Sequence, residues 1–252
     1  MSDNAPTRNE LKYYFVWDRT TRFFHWINVI CIIGLASVGV MILNSKILGV
    51  SNDGKFLLKT VHVYIGYVFS LNLTWRLIWG FIGNKFARWR AILPFGKGYW
   101  KSLEAYVVGA KSGGTPQYLG HNPVAKLMVA FMFLLLTTQA ITGLILAGTD
   151  LYLPPFGHEI AEWITASGEE HEKILNLKPG SKEDVDSESY AEMRKFRSPI
   201  SAIHVYSFYL LLMAIVLHIS AVVLIEIREK SGLVSAMLTG KKVTSKKPVD
   251  FN

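Results

Sequence analysis

Cysteine is almost absent from this chain of 252 residues: Cys31 stands alone, inside an apolar run. That excludes an internal disulfide framework, a CxxC zinc pair and a CxxCH motif for covalent haem attachment. Acidic residues are also scarce, 19 against 27 lysines and arginines, for a formal net charge of +8. On a soluble domain such a balance would point to nucleic acid. Here 50% of the residues are hydrophobic, mean hydropathy is +0.26, and the apolar content is gathered into four runs too long for soluble core helices. No nucleic-acid partner is expected; the chain reads as a membrane protein, and its basic residues read as topology signals. The opening MSDNAPTRNELKYY lacks the short apolar core and small-residue cleavage site of a signal peptide, so the first span is expected to direct insertion.

The expected fold class is all-α integral membrane, a single domain over 1–252 built as a four-helix transmembrane bundle. The spans are placed at about 23–43, 59–83, 124–147 and 201–227, with an extramembrane loop over 149–200. Asn52, Asp53 and Gly54 signal a polar turn before the second span. In the basic stretch before the third, Tyr99, Trp100, Leu103, Tyr106 and Val107 recur at the spacing of an interfacial helix. The third span opens with Asn122 as N-cap and Pro123 at the first helical position. It has Gln139 and Gly143 but no histidine, and reads as a packing helix. After the fourth span, the small apolar piece GLVSAMLTG is expected on the surface.

Lysine and arginine set the orientation. Seventeen lie in the N-terminal segment, the connection between spans two and three, and the C-terminal tail; nine lie on the other side. Both termini are therefore expected in the cytoplasm of a bacterial inner membrane. The long loop, with eleven of the nineteen acidic residues, then faces the periplasm.

Two histidines of the fourth span, His204 and His218, are fourteen residues apart. Fourteen residues make close to four helical turns, so both rings leave one face, roughly 21 Å apart along the axis. Given the orientation, His25 at the start of span one shares the cytoplasmic depth of His218, and His62 at the start of span two shares the periplasmic depth of His204. Alone, each is an ordinary interface histidine; together they make two depth-matched pairs. Paired imidazoles at two depths suit axial ligation of two stacked, non-covalent b haems, with His25, His218, His62 and His204 as the iron ligands. Two histidines per iron leave no open position, which favours electron transfer over binding at the metal. No catalytic residue is expected. A haem-free transporter would instead stagger its histidines through the bilayer. Arg76 and Arg22 are candidates to meet the propionates of the cytoplasmic haem, with snorkelling to lipid phosphate as the alternative for Arg76. Gly66, one turn after His62, would let a flat macrocycle approach; Gly34 and Gly143 do likewise or serve helix packing. His121, His158 and His171 read as loop residues.

VWDRTTRFFHW, HVYIGYVFSLNLTWRLIWGF, GGTPQYLGHNP and IHVYSFYLLLMAIVLHI together resemble the di-haem cytochrome b subunits of nickel–iron hydrogenases, over about residues 14–240. The chain resembles formate dehydrogenase membrane subunits more distantly. The resemblance implies a four-helix di-haem core, with the same four histidines as ligands. It also implies electron exchange between a membrane quinone and a periplasmic redox protein, such as a c-type cytochrome or a metallo-reductase or hydrogenase subunit. The insertion beginning GTDLYLPPFG departs from the compact form of that subunit. A different class of function, a stand-alone oxidoreductase acting on a small species such as superoxide with quinone, is the alternative.

Overall fold

A computed structural model describes residues 12–112, 114, 116–165, 174, 177–181, 185–229, 231–244 and 247–251. In chain order they form β1 (Lys12–Phe15), α1 (Arg19–Leu43), α2 (Asn52–Ile82), α3 (Trp89–Ile92) and α4 (Tyr99–Ser112), then α5 (Pro123–Leu151), α6 (Gly157–Ile164), α7 (Ser187–Glu229), α8 (Leu233–Thr239) and β2 (Lys241–Thr244). Helices α1, α2, α5 and α7 are long and apolar enough to cross a membrane. Their outer faces present large apolar side chains, among them Ile30, Leu71, Leu134 and Val216, each more than 60% exposed. In water such faces would be costly; in hydrocarbon they are the expected solvent contact, because a helix satisfies its backbone internally.

Each long helix opens on a side-chain cap. Asp18 Oδ1 accepts from the Thr21 amide (2.7 Å), and Ser51 Oγ from Gly54 (3.1 Å). Asn122 Oδ1 accepts from Ala125 (2.7 Å), as its sequence position predicted, and Asp186 Oδ1 from Ser189 (2.8 Å). A cap of this kind contributes about 1 kcal/mol. The caps also explain where the helices begin: α2 starts at Asn52 rather than Lys59, and α7 at Ser187 rather than Ser201. The predicted loop over 149–200 is thus partly helical, and α7 continues through Pro199. Its early turns are held by tertiary contacts, with Met193 buried against Ile160 and Ile164.

The chain packs as two compact units. One comprises residues 26–74 and 134–212. In it Asp150 at the end of α5 accepts hydrogen bonds from Lys59 of α2 (2.5 Å) and from Arg197 of α7, whose Nη2 lies at 2.9 Å. The other comprises residues 1–25, 75–133 and 213–252. Its small core gathers Val16, Trp17, Phe86, Leu119 and Ala236. The GLVSAMLTG piece, expected on the surface, is α8, with Ala236 fully buried in that core. Gly232 and Gly240 bracket α8 at φ +69° and +82°, and a Cβ on Gly240 would stand 2.6 Å from the Trp17 carbonyl oxygen. Beside α8, β1 pairs antiparallel with β2, Lys12 opposite Thr244 and Phe15 opposite Lys241. This ribbon is an addition to the expected all-α fold. The predicted interfacial helix is α4; Tyr99 and Tyr106 are buried and Trp100 is exposed.

Candidate functional site

In the unit of residues 26–74 and 134–212, His62 of α2 faces His204 of α7. Their ring centroids are 6.4 Å apart, with the planes inclined at 74°. Two metal–imidazole bonds of about 2 Å each and the two ring half-widths add to nearly that separation. The rings border a cavity of about 390 Å³, within the roughly 300–1,000 Å³ of small-molecule and cofactor pockets. Glycines open it on the ligands' own flanks. A Cβ on Gly39 would lie 3.4 Å from His62 Cε1, and one on Gly143 would lie 3.4 Å from His204 Cε1. Gly66 lines the same cavity, and a Cβ there would meet nothing within 4 Å. A Cβ on Gly34 would instead lie 3.3 Å from Ile65 Cδ1, which fits its helix-packing reading.

Helix α5, read from the sequence as a packing helix, supplies the groups that orient His204. Thr142 Oγ1 lies 2.8 Å from His204 Nδ1 and gives its own proton to the Thr138 carbonyl at 2.6 Å. A hydroxyl has one proton, so Thr142 accepts from Nδ1–H, and Nε2 keeps the lone pair a metal requires. Gln139 Nε2 donates to the His204 carbonyl and to Ser207 Oγ, both at 2.8 Å. The sequence placed Gln139 and Thr142 three residues apart, one turn of the helix, but not what they would touch. Nδ1 of His62 is sealed from solvent, and the Leu35 backbone of α1 lies within interaction range of the ring.

In the other unit, His25 of α1 and His218 of α7 lie within electrostatic range of one another. Arg76 is 3% exposed, so it does not snorkel. Its Nη2 donates to the Ala87 carbonyl at 3.0 Å, and its guanidinium carbon sits 5.8, 5.5 and 5.4 Å from the ring centres of Phe24, Trp89 and Phe133. Nη1 of the same group is sealed and unpartnered, a donor available to an anionic ligand. Arg22 donates through Nη1 to the Leu238 carbonyl of α8, and its Nε is sealed without a partner. His121 was expected to be a plain loop residue. Its ring lies 5.0 Å from that of Trp17, its Nδ1 is sealed, and its pKa is pushed down to about 3, by burial first and then by Lys242, Arg76, Lys126 and His218. His158 pairs with Glu162 on the exposed face of α6 (3.1 Å). His171 lies outside the described residues.

Among the described residues no three histidine, cysteine or carboxylate side chains converge as a metal cage. Two opposed imidazoles beside an open cavity are what a metal already held in a planar macrocycle needs, so the residues fit haem b.

The profile of the prokaryotic cytochrome b561 family matches residues 16–240. The probable Ni/Fe-hydrogenase 1 B-type cytochrome subunit of Escherichia coli K12 is 29% identical over 140 residues, 52% of this chain and 58% of that protein. The probable Ni/Fe-hydrogenase B-type cytochrome subunit of Rhizobium leguminosarum bv. viciae is 25% identical over 244 residues, covering 93% of this chain and 90% of the relative. Its counterpart in Rhodobacter capsulatus is 24% identical over 243 residues, 90% and 80% of the two chains. The four apolar helices fit a multi-pass protein of the bacterial inner membrane. The chain belongs to the prokaryotic cytochrome b561 family, membrane electron-transport proteins whose cofactor is haem b.

Proposed function

We propose that this chain conducts electrons across the inner membrane through two bis-histidine b haems, between the quinone pool and a periplasmic redox protein. The observation that carries the reading is the opposition of His62 and His204, 6.4 Å apart beside a glycine-walled cavity. His25 and His218, drawn from α1 and α7, would hold the second group. Haem b, when bound, supplies reversible one-electron chemistry between ferric and ferrous iron. The chain's part would be to hold the iron through two histidines, orient His204 through Thr142, and leave no open position for an external ligand. Arg76, with one sealed and unpartnered nitrogen, would meet an anionic propionate of the His25/His218 group; Arg22, with its Nε sealed, is the second candidate.

The lysine and arginine distribution supports cytoplasmic termini and a periplasmic loop. The relatives' names make a hydrogenase subunit the first partner to test, ahead of a c-type cytochrome. The test is a reduced-minus-oxidised visible spectrum of the purified chain, followed by addition of quinol. Two b haems per chain, reduced by quinol and reoxidised by a periplasmic redox subunit that copurifies, are expected. A chain without haem, or haems indifferent to quinol, would sink the proposal.

A further inference from the structure

Lys55, Lys59 and Arg197 line the cavity that His62 and His204 border, and Asp150 lines it with them. Along α2, Lys55, Lys59, His62 and Gly66 succeed each other at helical spacing on one face. Along α7, Arg197, Ser201 and His204 do the same. In each helix a cation thus stands seven residues, two turns, before the ligand, roughly 10 Å along the axis. Asp150 takes one ammonium proton of Lys59 and the Nε and Nη2 of Arg197. Nη1 of Arg197 and two ammonium protons of Lys59 are not used on that carboxylate. Among the described residues the wall therefore carries three cations against one carboxylate, a formal +2. The side chains of Lys59, Asp150 and Arg197 are only 25%, 13% and 19% exposed. A half-buried surplus of two positive charges asks for an anion of matching charge. The two propionates of a haem carry two negative charges.

We infer that Lys55, Lys59 and Arg197, spaced by Asp150, anchor the two propionates of the macrocycle held between His62 and His204. The inference rests on the haem reading above and names the groups that position that haem. Asp150 holds Lys59 and Arg197 at the rim and offsets part of their charge, so the four side chains also set the field felt by the iron. A cation beside the porphyrin favours the added electron, and a carboxylate opposes it.

The test is a spectroelectrochemical titration of full-length Lys55→Gln, Arg197→Gln and Asp150→Asn variants in nanodiscs. Lys55→Gln leaves the Asp150 contacts untouched and keeps the test valid if the Arg197 variant misfolds. Both cation-removing variants should lower the midpoint potential of one haem, the one absent from His62→Ala, and leave the other in place. Asp150→Asn should raise that same potential, and Arg197→Lys should restore most of the loss. Two haems with unmoved potentials, a shift on the other haem, or an equal fall in all three variants would overturn the anchor while leaving the haem reading standing. A wild-type chain without haem would overturn both.

Discussion

Thr142 Oγ1 lies 2.8 Å from His204 Nδ1, and its own proton goes to the Thr138 carbonyl. That contact fixes the tautomer and the rotation of an imidazole whose plane stands 74° from that of His62. A ferric haem held between rings so inclined would give a highly anisotropic low-spin EPR signal. Thr142→Val keeps the shape and removes the acceptor. Loss of such an orienting partner typically costs about 10–100-fold in affinity. The expected outcome is weaker haem retention at His62/His204 and a changed EPR envelope, with the second haem unaltered.

Gly66 marks the open side of the cavity. No protein atom lies within 4 Å of a Cβ there, so Gly66→Ala puts its methyl into the cavity alone and should loosen one haem slightly. Gly66→Phe should fill space that a macrocycle needs and cost one haem while the helices persist. Haem quantitation beside circular dichroism separates the two, and equal loss in both variants would contradict the cavity assignment.

Asp250 ties the C-terminal tail to the turn before α5. Its two carboxylate oxygens accept from the Leu119 and Gly120 amides at 2.7 and 2.8 Å. Asp250→Ala leaves both amides unpaired, at about 1–3 kcal/mol each where water cannot reach them. Faster hydrogen exchange over residues 117–121, with His62/His204 haem unaffected, is the expected result.

His121 gives a pH dependence. Its pKa is depressed to about 3, so below the ordinary value near 6.5 the unfolded chain binds a proton that the folded chain refuses. Stability should therefore fall as pH drops from about 6.5 toward 3, by up to about 1.4 kcal/mol per pH unit from this group. It should level off above that window. His121→Gln should flatten the slope of thermal stability against pH, and an unchanged slope would assign the acid sensitivity elsewhere.

The four spans were legible from apolar length, and the nearness of the His62 and His204 rings from the direction of each span and each residue's depth in it, because both are set by position along the chain. The Asn122 cap was legible for the same reason. Thr142 was not: a polar residue in an apolar span shows its face, but only the packed neighbour shows that it meets His204. The bond of Asp150 to Arg197, 47 residues apart, was hidden by the assumption that the segment between spans is irregular. The ribbon pairs residues 12–15 with 241–244, far apart in the chain, and four residues are too few for either strand to carry a periodic signal of its own.

Haem content in four single alanine variants tests the central claim most directly. Wild type should hold two b haems per chain. His62→Ala and His204→Ala should each keep one, with the same α-band and potential, while His25→Ala and His218→Ala should each keep the other. If His62→Ala and His204→Ala retain different haems, or if either variant retains both, the two-by-two pairing is wrong.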